Sequence, residues 1–471
     1  MRFPEDIASE RLAEVLRLFF KSLPEVEFID GAQEMKIECA KELSFTLTFE
    51  AGEVYSYGNG ELFMTARPQD LKIAREMRRQ LYLYLSKKLE SQKNWGALTG
   101  VRPTMLVAEL AEYHSGDRTA IMNSLLRDYG LTEAKAQLAI EVNEAEQTLL
   151  SEIPTDSDLV YIGIPYCYSR CSYCSFIAQD ASRYRRLLPQ YIDAITSDLK
   201  CFFGSRKSMV SSLYFGGGTP SSPDTKDIER LLQAVDKYVP LLPDAEITFE
   251  AGRADSLSYE KLKLIRDFGI ERICLNPQTT SDETLQRIGR HHSVAEFYQA
   301  YEWISELGFQ IINMDLICGL PGEDGADFLK SLADVMALKP ANITVHALAL
   351  KRTARLTQTV TEKRRENADL TAAMSQAHLA LKEAGYKPYY LYRQKNLVAG
   401  LENTGFALPG TESKYNVGMM SDRRNVLGFG AGASSKAVFG ERLERHINVK
   451  DIGLYIERWA GECDKRLQLF R

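Results

Sequence analysis

"GIPYCYSRCSYCSF", residues 163–176, overlaps the end of the apolar run "LVYIGI" at 159–164 and places three cysteines within eight positions. Cys167, Cys171 and Cys174 have the spacing C-x3-C-x2-C, whereas the other five of the eight cysteines are scattered singly along the chain. In α/β proteins, functional side chains commonly lie in the loops that follow the carboxyl ends of the strands, and these cysteines follow such a strand. The spacing therefore predicts that these three thiols act together.

Different kinds of site use clustered thiols. A structural zinc ion normally takes four ligands, but the nearest histidines, His114, His291 and His292, are distant and have no zinc-like spacing. The odd number of thiols and a reducing compartment disfavour a disulfide, and chance crowding in a loop is the remaining alternative. Three thiolates without a fourth suit a [4Fe–4S] cluster in which one iron stays open to a small molecule. The spacing resembles the one found in radical S-adenosylmethionine (radical SAM) proteins.

The chain from 159 to 350 alternates between strands and helices. The predicted strands are 159–164, 210–215, 245–251, 272–278, 310–322 with its turn, and 341–350, and the predicted helices are 188–203, 225–239, 258–269, 281–289, 294–308 and 325–338. Gly269 is placed to end the third of these helices. Six strand–helix alternations without a hairpin signal predict an α/β fold with a parallel sheet and right-handed crossovers, as a barrel or partial barrel.

Polar residues fall at the ends of the predicted strands. Glu250 and Gln278 end two of them, and Asp315 lies near the end of the next. Burying such a group without a partner costs about 1–3 kcal/mol, so each is a candidate site residue or, alternatively, a buried cap of a neighbouring loop. The run Gly216–Gly218 lets the backbone approach a ligand closely, with a tight turn as the alternative.

Composition narrows the class of protein. The 471 residues are 45% hydrophobic and carry a formal net charge of -6, which indicates a globular chain of two or three domains and argues against a nucleic-acid partner. The first residues have no basic segment before an apolar run, so we expect no secretory signal. We also expect no membrane span, since no apolar window of about 18 residues occurs. These observations predict a cytoplasmic protein.

Several motifs resemble those of one family. "YIGIPYCYSRCSYCSF", "SLYFGGGTPS", "ITFEAGRADSLSYEKLKLIRDFGIERICLNPQT", "IGRHHS", "INMDLICGLPG" and "GFGAGASS" occur in the order seen in the oxygen-independent coproporphyrinogen III dehydrogenase family. The resemblance covers about 160–440. "NWGALTGVRPT" at 94–104 and "YYLYRQKN" at 389–396 resemble the branch called HemZ.

The resemblance implies a fold and a set of ligands. The fold is a radical SAM partial (β/α)6 barrel at 155–350, with an N-terminal α/β domain at 1–150 and a C-terminal covering domain at 351–471. Cys167, Cys171 and Cys174 match the cluster ligands. The residues that match contacts to a first S-adenosylmethionine are Tyr161, Tyr173, Gly217, Gly218, Thr219 and Glu250. Those that match contacts to a second are Gln278, Arg290, Asp315 and Ala349.

The resemblance also implies an activity. Two propionate side chains of coproporphyrinogen III lose CO2 and become vinyl groups, which gives protoporphyrinogen IX, with electrons from a low-potential donor. One or two S-adenosylmethionine molecules bind, and no catalytic residue is expected beyond the cofactor ligands. Because the substrate carries four carboxylates, we expect arginines in its pocket, and the candidates are Arg170, Arg352 and Arg393.

Two positions depart from the dehydrogenase pattern. Those enzymes carry a histidine where this chain has Gly163, and a further cysteine where it has Phe176. The "YCSF" form is shared with the haem-chaperone branch, so haem binding or transfer is the alternative function. A haem ligand could then come from the pair His291 and His292, although His292 also fits a helix start in the family's Arg-x-His-Ser pattern.

Overall fold

The computed structural model divides the chain into two compact units, Met1–Asn143 and Glu144–Arg471. It describes residues 12–20, 25–29, 34–39, 43–50, 53–66, 73–100, 102–174, 179–180, 185–349, 367–394, 397–440 and 442–471. No helix in these ranges is long and apolar enough to cross a membrane.

The N-terminal unit is built on an antiparallel sheet whose order follows the chain. Its strands are β1 (Glu25–Ile29), β2 (Glu34–Cys39), β3 (Leu43–Glu50), β4 (Glu53–Gly58) and β5 (Glu61–Ala66), and its helices are α1 (Ile73–Lys88), α2 (Pro103–Tyr113), α3 (Arg118–Arg127) and α4 (Glu133–Glu152), the last of which continues into the second unit. Phe45 and Leu47 of β3 alternate with polar residues and pack against Leu81 and Leu85 of α1. This alternation gives the sheet one buried face.

The second unit contains one large mixed sheet. Its strands are β6 (Asp158–Ile164), β9 (Val210–Gly217), β10 (Leu241–Glu250), β11 (Arg272–Cys274), β12 (Ile311–Cys318), β13 (Asn342–Ala347), β14 (Lys387–Tyr392), β15 (Asn403–Ala407), β16 (Val426–Phe429), β17 (Ser434–Phe439) and β18 (Arg442–Ile447), and the two-residue strands β7 (Tyr166–Cys167) and β8 (Gln179–Asp180) pair separately. The order is β14-β15-β13-β12-β11-β10-β9-β6-β16-β17-β18. Strands β6 and β9 to β13 are parallel, as the alternation predicts.

Helices connect the parallel strands and flank the C-terminal ones. They are α5 (Leu188–Ser205), α6 (Thr225–Tyr238), α7 (Tyr259–Asp267), α8 (Asp282–Arg287), α9 (Val294–Glu306), α10 (Gly325–Ala337), α11 (Ala368–Glu383), α12 (Lys414–Met420) and α13 (Ile452–Leu469). Capping boxes at Ser293 and Asp324 begin α9 and α10. Gly269 follows α7, and its N–H donates to the Arg266 carbonyl. Its φ of +79° is the left-handed conformation that ends a helix, as the sequence predicts.

The C-terminal strands extend the sheet at both sides. Strand β15 adds antiparallel to β13, and β14 pairs antiparallel with β15 at the edge of the sheet. Strands β16 to β18 add beside β6, with β16 parallel to it. Within the described residues the two outer strands do not meet, so the sheet is an open, TIM-like partial barrel. The aliphatic side chains of β6, β9, β12 and β13 and of the surrounding helices form one continuous core, which fixes the strand ends that carry the polar residues.

Candidate functional site

The cysteine loop begins beside the glycine run. Strand β6 pairs with β9 in parallel, and the register sets Ile164 opposite Gly217. The Gly218 N–H donates to the Ile164 carbonyl at 2.9 Å. Parallel strands end at the same edge, so the loop from 165 to 174 leaves the sheet next to the polar ends of β9 and β10. The sequence prediction that these motifs share one end of the sheet is confirmed.

Hydrogen bonds reach the sulfurs of Cys167 and Cys171. Thr219 Oγ1 donates to Cys167 Sγ at 3.4 Å, and Arg253 Nη1 donates to Cys171 Sγ at 3.7 Å. Burial raises the pKa of Cys167 to about 11, while Thr219 and Arg253 oppose the shift. Cys171 is buried, whereas Cys167 and Cys174 are partly exposed. The Cys167 thiol thus needs a further cation to ionise, and a bound metal centre would supply one.

Arg253 is a site residue that the sequence analysis missed. Its guanidinium donates to the Ser169 carbonyl at 3.1 Å and to Ser169 Oγ at 2.9 Å, as well as to Cys171. Asp255 holds it through two bonds of 3.0 and 2.6 Å. The guanidinium therefore joins the loop after β10 to the cysteine loop. Its place three residues after the end of β10, within the motif "ITFEAGRADS", was the signal available in the sequence.

Packing explains the glycines after β9. A Cβ on Gly218 would lie 2.6 Å from the Tyr166 carbonyl oxygen, and a Cβ on Gly217 would lie 3.0 Å from the Ile164 nitrogen. Gly217 also has φ of +117°, which other residues rarely adopt. The tight fit against the start of the cysteine loop thus requires glycine at both positions. This requirement adds to, and does not exclude, a ligand role for the Gly217 and Gly218 backbone.

Two carboxylates on alternate strands, Glu250 on β10 and Asp315 on β12, differ in their protonation. Burial, followed by the nearby Asp315 charge, raises the pKa of Glu250 to about 8 against the opposing hydrogen bond of the Gly217 N–H. Burial opposes ionisation of Asp315 too, but the hydrogen bond and charge of His346 lower its pKa below the ordinary value. The pair therefore holds one neutral and one charged carboxyl near neutral pH.

Asp315 belongs to a polar chain that the sequence analysis did not identify. Asn313 Nδ2 donates to its Oδ1 at 2.8 Å, and His346 Nε2 lies 3.5 Å from its Oδ2. Tyr392 OH lies 3.3 Å from His346 Nδ1. These residues come from β12, β13 and β14, so the polar chain extends from the parallel strands to the edge strand of the sheet.

Gln278 has an unusual backbone for a residue after a strand. Its φ is +71°. Its N–H donates to the Asp315 carbonyl at 2.9 Å, and its carbonyl accepts the Ile317 N–H at 3.0 Å. The ladder of β11 ends earlier, at Cys274, than the predicted 278. Among the described residues, the buried Oε1 of Gln278 and Oδ1 of Asn276 find no hydrogen-bond donor. A strained backbone and two unsatisfied acceptors together are typical of a ligand site.

Arg290 connects three loops. Its Nη2 donates to the carbonyls of Gly252 and Asn276, both at 2.6 Å, and its Nη1 lies 3.5 Å from Tyr173 OH. Tyr173 is two residues after Cys171, so Arg290 joins the ends of β10 and β11 to the cysteine loop. Its Nη2 is therefore engaged with two protein carbonyls, which supports a positioning role.

The remaining predicted cofactor residues lie around the same sheet edge. The Tyr161 ring stacks near Tyr214 and Tyr415, with centroids 6.4 Å away in each case. Burial raises the pKa of Tyr161, and also that of Tyr173. Ala349, just beyond β13, forms an isolated bridge with Leu397.

Comparison with known proteins identifies the family. Residues 161–335 match the model of the radical SAM superfamily. The oxygen-independent coproporphyrinogen-III oxidase-like protein HemZ of Bacillus subtilis is 34% identical over 385 residues, which cover 80% of this chain and 77% of that protein. This chain belongs to the oxygen-independent coproporphyrinogen III dehydrogenase family, in its HemZ-like branch. The family predicted from the motifs is thereby confirmed.

More distant relatives have other names. The heme chaperone HemW of Bacillus subtilis is 28% identical over 306 residues, covering 63% of this chain and 74% of that protein. The solved coproporphyrinogen III oxidase HemN of Escherichia coli superposes with a TM-score of 0.52 at 21% identity, over 68% of this chain and 73% of that one. This likeness confirms the radical SAM fold.

A [4Fe–4S] cluster fits the HemZ-like cysteine loop. Within the described ranges, no three His, Cys, Asp or Glu side chains converge on a single ion. A cluster makes no such demand, because its thiolates bind separate irons. Thr219 and Arg253 provide hydrogen bonds toward the sulfurs, which is the outer support that such centres use.

The three substrate-binding arginine candidates have different surroundings. Arg170 is exposed in the cysteine loop. Arg393 is partly buried and donates to the Gly400 carbonyl at 3.1 Å. Burial lowers its pKa to about 10 against the attraction of Glu402. Arg352 lies outside the described residues. Arg170 is therefore the candidate whose side chain reaches solvent within the cysteine loop.

The structure describes one of the two positions that depart from the dehydrogenase pattern. A Cβ on Gly163 would lie 3.2 Å from Tyr161 Cε1, so a histidine there would require the tyrosine to move. Phe176 lies outside the described residues. His291 is exposed, whereas His292 is buried, and burial followed by the Arg290 charge lowers its pKa to about 3.

Proposed function

We propose that this HemZ-like chain is a radical SAM oxidoreductase that decarboxylates propionate side chains of coproporphyrinogen III to vinyl groups. The observation that carries the proposal is the convergence of the cysteine loop, the glycine run and Glu250 at adjoining strand ends. These are the parts that a cluster and a cationic S-adenosylmethionine need. The similarity to HemZ over 80% of the chain supports the substrate class.

The proposal gives each residue a task. Cys167, Cys171 and Cys174 hold the cluster, and Glu250 accepts the ammonium group of a first S-adenosylmethionine. When bound, the cluster and S-adenosylmethionine supply the one-electron chemistry that removes a hydrogen atom from the substrate propionate.

The remaining site residues position ligands. Tyr161, Tyr173, Gly217, Gly218 and Thr219 surround the first S-adenosylmethionine. The unsatisfied acceptor of Gln278 and the ionised carboxylate of Asp315 are suited to hydroxyl or ammonium groups of a second, with Arg290 and Ala349 bordering it.

Substrate carboxylates need cations near the cluster. Arg170 is exposed in the cysteine loop, so its guanidinium can bind a propionate through two parallel bonds. Replacement by alanine should raise the KM for coproporphyrinogen III while leaving the cluster in place. An unchanged KM would remove Arg170 from the substrate pocket.

Haem binding or transfer is the second candidate, and Gly163 favours it. The dehydrogenases carry a histidine there, but a Cβ at this position would lie 3.2 Å from Tyr161 Cε1, so the tyrosine ring would have to shift. A haem ligand would then come from an exposed side chain such as His291. Absorbance titration with haem, followed by the His291→Ala variant, measures this alternative separately from turnover.

Anaerobic turnover tests the proposed reaction. Protein reconstituted with iron and sulfide is incubated with dithionite, S-adenosylmethionine and coproporphyrinogen III, and products are identified by mass spectrometry. We expect vinyl products from the native chain and none from Cys171→Ser, which should also lose the cluster. Cys318→Ser is the matched control, since this buried thiol lies at the end of β12 and contacts the Leu370 carbonyl. Equal turnover by Cys171→Ser would refute the cluster assignment.

A further inference from the structure

Two cysteines that the cofactor site does not use meet between helices. Cys201 of α5 and Cys463 of α13 are 262 positions apart in the chain, yet their sulfurs lie 2.9 Å apart. This separation exceeds the S–S bond of a disulfide by only about 0.9 Å. We propose that Cys201 and Cys463 form a reversible disulfide under oxidising conditions, which fastens the C-terminal helix to the first helix of the barrel.

The neighbouring residues already hold the two helices in register. Arg466 is fully buried and donates to both oxygens of Asp198, at 2.9 and 3.0 Å. Asp198 precedes Cys201 by three positions on α5, and Arg466 follows Cys463 by three on α13, so each pair shares one helix face. Tyr455 OH adds a third bond to Asp198 at 2.7 Å. The sulfurs therefore meet without any movement of the backbone.

A short polar path leads from these helices to the cysteine loop. Tyr191 of α5 donates to the Gly163 carbonyl at 2.7 Å and accepts the Ala431 N–H at 2.8 Å. Gly163 lies four residues before the first cluster cysteine. The Tyr191 and Tyr455 rings lie 5.6 Å apart. A covalent tie between α5 and α13 would thus stiffen the support beneath the cluster loop.

The accessible sulfur determines the order of the reaction. Cys201 is partly exposed, whereas Cys463 is buried and its pKa is raised by burial and by the adjacent thiol. Cys201 therefore attacks a low-molecular-weight disulfide first and releases one thiol. Cys463, on losing its proton, displaces the second thiol from Cys201. Overall, two protein thiols and one small disulfide become one protein disulfide and two small thiols, so the oxidant gains the two electrons and two protons.

Oxidised glutathione, applied without oxygen to cluster-loaded protein, tests the proposal. After free thiols are alkylated, we expect a peptide in which Cys201 and Cys463 are joined, and dithiothreitol should separate it. The native chain should gain about 3–10 °C in its thermal midpoint on oxidation, since a long loop becomes closed. Cys201→Ser and Cys463→Ser should lose both effects, whereas Cys318→Ser should keep them.

Two results would overturn the proposal. One is glutathione attached to Cys201 at full occupancy with no joined peptide. The other is a joined peptide whose formation leaves the thermal midpoint unchanged, because the bond would then fasten nothing. Neither result depends on the reaction proposed above, because no substrate is present.

Discussion

The raised pKa of Glu250 predicts that S-adenosylmethionine binding expels a proton. Burial and the Asp315 charge raise this pKa to about 8, so about nine-tenths of the carboxyls are protonated at pH 7. S-adenosylmethionine carries an ammonium and a sulfonium group. Placing either cation beside Glu250 favours the ionised carboxylate, and the proton must leave as the ligand binds.

The size of the effect follows from the same pKa. Below pH 8, affinity should rise about tenfold for each pH unit, and the total gain between pH 6 and pH 8 should be about 50-fold. Above pH 8 the carboxyl is already ionised and affinity should level off. At pH 7 about 0.9 proton should be released for each ligand bound.

Calorimetry of the cluster-loaded protein measures both quantities. Titrations at pH 7 in two buffers of different ionisation enthalpy give the proton count, and a series from pH 6 to pH 9 gives the slope. Glu250→Gln should abolish both effects, while Glu229→Gln, on the outer helix α6, should keep them. Affinity that is independent of pH, or equal proton release by Glu250→Gln, would refute the role of this carboxylate.

The same shift has a consequence for folding. The pKa of Glu250 is higher in the folded than in the unfolded chain, so the folded state binds the proton more tightly. Its contribution to stability is therefore complete below about pH 4.5 and is lost as the pH rises through about 8. Without ligand, Glu250→Gln should be more stable than the native chain at pH 9, as measured by urea unfolding.

Two further variants test the packing around the cysteine loop. Arg253→Met should lower the free energy of unfolding by about 3–5 kcal/mol, because Asp255 loses its buried partner. The same variant should bind less iron in a colorimetric assay, and full iron content would contradict the role of Arg253. Gly218→Ala should lower the free energy of unfolding, measured in urea, by about 1–3 kcal/mol, because the added Cβ would meet the Tyr166 carbonyl. Gly204→Ala is the control, because open space surrounds Gly204 and the variant should not be destabilised. Equal effects of the two variants would contradict the packing argument.

The parallel strands and their connecting helices can be predicted because each is marked by its own short stretch of sequence. Apolar strands alternate with amphipathic helices from 159 to 350, and that pattern specifies parallel pairing, since no hairpin turn intervenes. The strand ends then bring the cysteines, Glu250 and Asp315 to one edge without any knowledge of distant contacts.

Other features depend on contacts between distant residues. Arg253 meets Ser169 across 84 positions, and Cys201 meets Cys463 across 262, so no local pattern marks either pair. Gln278 continues an apolar run, but its backbone turns to positive φ because Asp315 and Ile317 bond it. The sequence analysis did not predict the C-terminal strands β14 to β18, because they join the sheet only through pairing beside the distant strands β13 and β6.

Release of labelled CO2 tests the proposed reaction most directly. Coproporphyrinogen III with 13C in its propionate carboxyls is incubated anaerobically with reconstituted protein, dithionite and S-adenosylmethionine, and the gas phase is analysed by mass spectrometry. The account predicts 13CO2 that depends on S-adenosylmethionine, appears together with vinyl product and is absent with Cys171→Ser. Tight haem binding by the native chain without any 13CO2 would contradict the decarboxylase proposal and support the haem carrier.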